Sequence, residues 1–270
     1  MSACGVLEVG GTHVCAAVVD PDRREVLTHE RDDLDSNGSR DDLLDVLRGA
    51  AARLPVPVSA VALPGPFDYA AGVALYEGVG TFDALRGVDL RLALGLPDVV
   101  FLNDADAFAL GVAPATGRCV VITLGTGVGS GWVADGRLVT SGCDVPPEGS
   151  AHLLTYDGRH LEETVSRRAI RAAYGQDGTD VREIAERARS GEQRANDVLE
   201  HAMRALGQTL GPWLAAFRAD EVVIGGSISR SWDLLGPWFE AAAVTRSRAV
   251  VADDAALLGA ALFAATDPAR

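Results

Sequence analysis

Lysine is absent from this chain of 270 residues, so arginine supplies all 24 of its basic side chains. A P-loop ATPase requires the lysine of its G-x-x-x-x-G-K-[ST] motif, and a protein kinase requires a lysine on one of its strands. If the chain handles nucleotides, both of these classes are therefore excluded.

Positive charge and cysteine are both scarce. The formal net charge is −14 at pH 7, which argues against the clustered positive surface that nucleic-acid binding requires. The four cysteines are scattered and form no C-x-x-C pair: they are Cys4, Cys15, Cys119 and Cys143. We interpret them as small buried hydrophobic residues rather than as disulfide partners or zinc ligands.

Long apolar runs are missing as well. No stretch of about 18 apolar residues is present, so no membrane-spanning helix is expected. The first residues do not combine a basic segment with a following apolar stretch, so no signal peptide is predicted. We expect a cytoplasmic protein with neither a membrane partner nor a nucleic-acid partner.

Strand-like and helix-like segments alternate throughout, which predicts an α/β protein with layered sheets. An opening of three strands occurs twice, at 3–9, 13–19 and 25–30 and again at 119–124, 130–134 and 137–140. This repetition predicts two similar lobes. We place the first lobe at 1–114 plus 255–270, because the last helix is expected to return to it, and the second lobe at 115–254.

Three glycine-rich turns follow strand-like runs. They are Gly10-Gly11-Thr12, Gly125-Thr126-Gly127 and Gly225-Gly226-Ser227. A turn without Cβ atoms lets backbone N–H groups close on a phosphate, and a hydroxyl adds another donor. The first turn alone could be ordinary hairpin geometry. Together the three turns favour an ATP-dependent phosphotransferase that grips a polyphosphate from two sides.

Asn103-Asp104 follows a strand-like run at 98–102 and begins a helix. A carboxylate at this position can remove a proton from a hydroxyl as the phosphoryl group arrives. Asp104 could instead cap the helix, although capping does not explain the preceding asparagine. We interpret Asp104 as the catalytic base and Asp106 as a solvated or supporting residue.

Seven segments together resemble the ROK family of sugar kinases. They are LEVGGT, LPGPFD at 63–68, LNDADAFALG at 102–111, TLGTGVGSGWVADGRL at 123–138, LEETVSRRAI at 161–170, VVIGGSIS at 222–229 and ALLGAALFA at 256–264. The resemblance implies a two-lobed actin-like ATPase fold, also called ribonuclease H-like. In this fold each lobe is a mixed sheet flanked by helices, and the active site lies in the cleft between the lobes.

The resemblance also implies roles for individual residues. Asp104 would be the general base, and the sugar would contact Gly65, Asn103, Asp104, Glu148, His152 and Glu162. ATP would be bound by Gly10, Gly11 and Thr12 in the first lobe and by Gly125, Thr126, Gly127, Gly225, Gly226 and Ser227 in the second. The expected cofactors are ATP and Mg²⁺, and a homodimer is the expected assembly.

The chain departs from the family pattern at four places. Glu8 replaces the aspartate that supports the water shell of Mg²⁺, and PEGSAH at 147–152 is one residue longer than the family's sugar signature. YDGRHLEE replaces the cysteine-rich zinc loop, so no structural zinc is expected. Residues 79–82 differ from the consensus near the sugar, which indicates an altered sugar pocket.

Several alternatives remain open at this stage. The hydroxyl acceptor could be a hexose, an amino sugar or a cyclitol. A glucokinase that uses polyphosphate is a further possibility, although the net charge of −14 disfavours a basic donor groove. A non-catalytic sugar-binding regulator is the alternative from another class. Because the first glycine turn begins beside Glu8, we expect no helix-turn-helix domain ahead of it.

Overall fold

The computed structural model describes residues 3–266, which form two compact units. Unit 1 contains the residues up to Val112 and those from Asp253 onward, and unit 2 contains Ala113–Ala252. Among the helices of residues 3–266, none is both long enough and apolar enough to cross a membrane.

The chain alternates strands with helices in both units. The strands are β1 (Cys4–Gly10), β2 (His13–Asp20), β3 (Glu25–Asp33), β4 (Val58–Leu63), β5 (Phe67–Asp68), β6 (Val73–Ala74), β7 (Val100–Asn103), β8 (Arg118–Leu124), β9 (Val128–Ala134), β10 (Arg137–Leu138), β11 (Thr155–Tyr156), β12 (Arg159–His160), β13 (Glu221–Gly225) and β14 (Arg248–Ala249). The α-helices are α1 (Arg40–Ala52), α2 (Leu90–Leu94), α3 (Asp104–Val112), α4 (Glu162–Val165), α5 (Arg167–Tyr174), α6 (Val181–Arg189), α7 (Gln193–Phe217), α8 (Trp232–Ala243) and α9 (Ala255–Thr266).

Unit 1 is built on a five-stranded sheet with the order β3-β2-β1-β4-β7. The first three strands are antiparallel neighbours, whereas β1, β4 and β7 run parallel. Every residue of β4 is buried, because α1 packs on β1 and β2 and α9 packs on β1, β2 and β4. A strand covered on both faces is expected to be apolar throughout, and VSAVAL has that character.

Unit 2 repeats this topology with the order β10-β9-β8-β13-β14. Here too the three strands that follow one another in sequence are antiparallel, and β8, β13 and β14 are parallel. The long helix α7 packs along α8 and contributes nine buried residues to the hydrophobic core of the unit. The predicted repetition of three strands therefore corresponds to two sheets with the same strand order.

Two short helices, α4 and α5, follow each other at 162–174 with a break between them. Ser166 separates α4 from α5, with its backbone in the extended region, and its hydroxyl accepts a hydrogen bond from the N–H of Ala169 at 3.2 Å. A serine in this conformation is a favourable N-cap, and it starts α5 in a new direction.

Helices α3 and α9 approach each other closely because both carry glycine at the contact. A Cβ atom built on Gly111 would lie 2.0 Å from the carbonyl oxygen of Ala255. A Cβ atom built on Gly259 would lie 1.7 Å from the carbonyl oxygen of Ala107. These positions therefore fix the distance between α9 and the helix that begins at Asp104.

Gly259→Ala is expected to destabilise unit 1 by about 3 kcal/mol, because the added methyl group forces the two helices apart. Urea unfolding of the variant and the wild type measures the difference. Gly49→Ala is the matched control, since Gly49 lies in α1 and its Cβ would meet nothing closer than an Arg53 nitrogen at 3.7 Å. The control should gain about 0.5–1 kcal/mol. Equal unfolding midpoints for the two variants would contradict the packing argument.

Candidate active site

Asn103 and Asp104 lie at the junction where β7 ends and α3 begins. The N–H of Ala105 donates to Asn103 Oδ1 at 2.9 Å and to Asp104 Oδ1 at 2.9 Å. Because Asn103 also accepts from this N–H, capping of the helix does not depend on Asp104 alone. Burial raises the pKa of Asp104 above its ordinary value, although its backbone hydrogen bonds oppose the shift.

Two tyrosines hold the chain segment that faces Asn103, and sequence reasoning had not identified either of them. The Asn103 amide donates to the Tyr69 hydroxyl at 2.9 Å, and this hydroxyl donates to the Leu63 carbonyl oxygen at 3.2 Å. The Tyr76 hydroxyl donates to the carbonyl oxygen of Pro64 at 2.6 Å. Gly65 is exposed beside them, and a Cβ there would lie 3.4 Å from the Tyr69 hydroxyl.

Carboxylates are concentrated around Asp104. The pKa of Glu8 is raised to about 7, first by burial and then by the charge of Asp104, while Arg31 opposes the shift. The pKa of Asp106 is also raised to about 7 by burial and by Asp104. Of the two expectations for Asp106, a solvated or a supporting residue, its half-buried position on α3 beside Asp104 favours the supporting one.

The first glycine turn connects β1 to β2. Its shape is fixed by two hydrogen bonds: the Ser36 N–H donates to Gly11 at 3.3 Å, and the Leu34 N–H donates to Thr12 at 3.0 Å. Gly11 and Thr12 are both exposed. Within residues 3–266 their own N–H groups donate to no other residue, so they are available to an anion.

The second glycine turn, between β8 and β9, is held by the junction of α4 and α5. The Arg167 N–H donates to the Gly125 carbonyl at 2.8 Å, and the Val128 N–H donates to Glu162 Oε2 at 3.3 Å. A Cβ on Gly127 would lie 2.8 Å from the same oxygen. Glu162 therefore lies against this turn, whereas its predicted contact with a sugar stays a prediction.

The third glycine turn lies next to the second one. Gly226 has φ 82°, and a Cβ there would lie 2.3 Å from the Leu124 carbonyl oxygen, so this position requires glycine. The Ser227 hydroxyl accepts a hydrogen bond from the Arg167 guanidinium at 3.1 Å. A Cβ on Gly125 would be 3.8 Å from the same hydroxyl. Unit 2 thus brings two of the predicted phosphate turns to one place.

A cavity of about 470 Å³ opens beside these turns, and its lining is rich in arginine. Its walls include Thr126, Arg167, Arg168, Arg171, Gly175 and Gln176. The three arginines make this groove locally basic within a chain whose net charge is −14. Sequence reasoning had not identified them, although SRRAIR at 166–171 places them on one turn of a helix.

Glu148 and His152 lie on a loop of short 3₁₀ turns, and both are exposed. Ser130 fixes the backbone of this loop, because its hydroxyl donates to Gly149 at 2.8 Å and accepts from the Ala151 N–H at 2.8 Å. Neither Glu148 nor His152 contacts Glu162 in the described hydrogen bonds. Their predicted roles as sugar contacts remain predictions.

The cysteines differ from the prediction that all are buried. Cys119 is buried in β8, Cys143 is exposed, and Cys4 and Cys15 are half-buried. Cys15 lies on β2 directly opposite Glu8 of β1, so this thiol belongs to the polar edge of the site rather than to the core.

Comparison with known proteins places this chain in a family. The profile of the ROK family matches residues 4–266, and the chain belongs to that family. The fold prediction is confirmed in each unit: a mixed sheet flanked by helices, as in the actin-like ATPases.

Individual relatives extend over nearly the same length. The chain is 30% identical over 289 residues to an N-acetylmannosamine kinase of Citrobacter koseri, covering 97% of this chain and 98% of the relative. It is 28% identical over 272 residues to a glucokinase of Thermotoga maritima, covering 86% and 84% respectively. The crystal structure of a ROK hexokinase from Thermus thermophilus superposes with a TM-score of 0.79 at 25% identity, covering 97% of each chain.

Tyr69→Phe should cost about 1–2 kcal/mol of stability, because it leaves the Asn103 amide without its acceptor and the Leu63 carbonyl without its donor. Thermal unfolding measures this loss. Tyr156→Phe is the control, since among residues 3–266 the Tyr156 hydroxyl takes part in no hydrogen bond while its ring packs against His201. If the two variants unfolded at the same temperature, the hydrogen bond of the Tyr69 hydroxyl would not be the contact that fixes Asn103.

Proposed function

We propose that this carbohydrate kinase transfers the terminal phosphoryl group of ATP to a hydroxyl group of a hexose or an N-acetylhexosamine. The observation that carries the proposal is the Asp104 carboxylate, fixed at the start of α3 with a raised pKa. A more basic carboxylate is a better acceptor for the proton that the sugar hydroxyl loses during transfer.

Asn103 is proposed to position the sugar beside this base. Its amide is oriented by Tyr69, and its carbonyl is oriented by the Ala105 N–H. A residue whose rotamer is locked at both ends can hold a substrate hydroxyl with little further loss of conformational entropy. Gly65, exposed beside Tyr69, offers its backbone to the same substrate.

The acidic groups near Glu8 fit a divalent cation. Glu8 is half-buried, and its pKa is raised first by burial and then by the charges of Asp104 and Asp254, so a positive ion would relieve their mutual repulsion. Carboxylates and water are the ligands that Mg²⁺ prefers. We assign Glu8 to the water shell of Mg²⁺, which neutralises charge on the transferred phosphoryl group when bound. The glycine turn at Gly11 and Thr12 supplies N–H donors to the same anion.

Unit 2 is proposed to bind the rest of the phosphoryl donor. The turns at Gly125–Gly127 and Gly225–Ser227 lie together, and Arg167 joins them through Ser227. The basic cavity beside Thr126 suits a chain of phosphates. ATP is the proposed donor. Inorganic polyphosphate is the second candidate, because the three arginines provide locally the positive charge that the whole chain lacks.

The decisive experiment measures ADP release from Mg-ATP with glucose, N-acetylmannosamine, other amino sugars and cyclitols as acceptors. We expect a sugar-dependent signal with at least one hexose or N-acetylhexosamine. Asp104→Asn keeps the shape of the side chain but removes its charge, so kcat should fall about 10³-fold while sugar binding persists. Sugar binding without any turnover, with ATP or polyphosphate, would show a non-catalytic binding protein instead.

Arg168→Ala tests the donor site. Arg168 is largely exposed and its contact to Glu162 is long, at 4.0 Å, so the variant should fold normally. We expect the KM for ATP to rise about tenfold with little change in kcat, since a phosphate contact is lost. Arg182→Ala on α6, where Arg182 pairs with Glu186 at 3.3 Å, is the control and should leave the KM for ATP unchanged. If the KM for ATP were the same in both variants, the cavity would not be part of the donor site.

A further inference from the structure

Glu8, His13 and Cys15 bring one carboxylate, one imidazole and one thiol to the same place. One candidate ligand atom from each of the three side chains lies within 4.8 Å of the others. Within residues 3–266 it is the one group of three histidine, cysteine or acidic side chains that meets this distance. The sequence motifs do not point to this cluster, because no C-x-x-C or C-x-x-H spacing is present.

The cluster is a consequence of the register between β1 and β2. Glu8 is paired with Cys15, and Gly10 is paired with His13. Because side chains alternate along a strand, Glu8 and Gly10 point to one face, and their partners Cys15 and His13 point to that same face. The two-residue turn therefore folds the three candidate ligands onto one surface of the sheet.

Because Gly10 has no side chain, the His13 imidazole can lie directly over it. A Cβ on Gly10 would lie 2.8 Å from the His13 ring, so the ring occupies the space that any other residue would fill. The Thr12 hydroxyl lies 3.4 Å from Nδ1 of the same ring, which leaves Nε2 for a metal ion. A hydrogen bond to the second ring nitrogen is the usual way in which a metal-binding histidine is oriented.

From this arrangement we propose that Glu8, His13 and Cys15 form a binding site for Zn²⁺. Nitrogen, sulfur and carboxylate oxygen are all ligands of zinc, and a mixed set of this kind favours zinc over Mg²⁺. Ligand atoms around a tetrahedral zinc ion are roughly 3.5 Å apart, so small rotamer changes suffice to close the site. Three protein ligands leave a fourth position for water.

The site shares Glu8 with the assignment of Mg²⁺ above, but it does not rest on the proposed function. The phosphoryl transfer proposed above gives no role to His13 or Cys15. Occupancy by Zn²⁺ would withdraw the Glu8 carboxylate from Mg²⁺, so zinc should inhibit any kinase activity of the chain. The binding itself can be measured without a substrate.

The test titrates the full chain, first freed of metal with a chelator, with Zn²⁺ and with Co²⁺. We expect one ion per chain and, with Co²⁺, the near-ultraviolet absorption of a thiolate-to-cobalt bond. Cys15→Ser and His13→Gln should each weaken zinc binding at least tenfold, and Cys15→Ser should abolish the thiolate absorption. Cys143→Ser is the matched control, because Cys143 is exposed and lies in unit 2.

Gly10→Ala provides an independent variant that changes no ligand. The added methyl group displaces the His13 ring, so zinc binding should weaken while the three ligands are all retained. Thermal unfolding with chelator present checks that each variant folds. Absence of zinc binding by the wild type would overturn the proposal. So would a thiolate absorption that survives in Cys15→Ser, because the sulfur would then come from another cysteine.

Discussion

Burial of carboxylates is the constraint on which the site of unit 1 depends. Burial raises the pKa of Glu8, Asp104 and Asp106, and the charge of Asp104 raises the pKa values of Glu8 and Asp106 further. Arg31 is the cation that opposes the shift at Glu8. Such a cluster is costly when all its members are ionised, and bound cations or protons lower that cost. A cation bound at the site proposed here would therefore also stabilise the unit.

The fold holds this cluster in place by rigid contacts. Asp104 begins a helix whose distance from α9 is set by Gly111 and Gly259, so it cannot move away from the sheet without breaking helix packing. Asn103 is tied through Tyr69 to the end of β4. The carboxylates are thus presented by a strand end and a helix start rather than by loops, which is the arrangement that keeps catalytic groups preorganised.

Much of the fold could be predicted from the sequence because the local signals agree with the final structure. Apolar runs such as VSAVAL predict a buried strand, and the glycine turns indicate where strands end. The groups that the sequence did not predict depend on contacts between distant segments. Tyr69 reaches Asn103 across 34 positions, and Arg167 reaches Ser227 across 60. No local pattern encodes such a pair, whereas the break at Ser166 could have been read as an N-cap.

Glu8 shows how a single methylene can change the chemistry of a site. The family pattern carries aspartate at this position, whose shorter side chain stays nearer its own strand. A glutamate reaches further across the hairpin, toward the His13 ring that lies over Gly10 and the thiol of Cys15. The longer side chain therefore belongs to two ligand sets at once: oxygen donors that suit Mg²⁺, and a mixed nitrogen, sulfur and oxygen set that suits a softer ion. Which ion binds then depends on the concentrations of the two metals and on the affinity of the site for each. Under both proposals, zinc would act on the kinase through the same residue that we assign to magnesium.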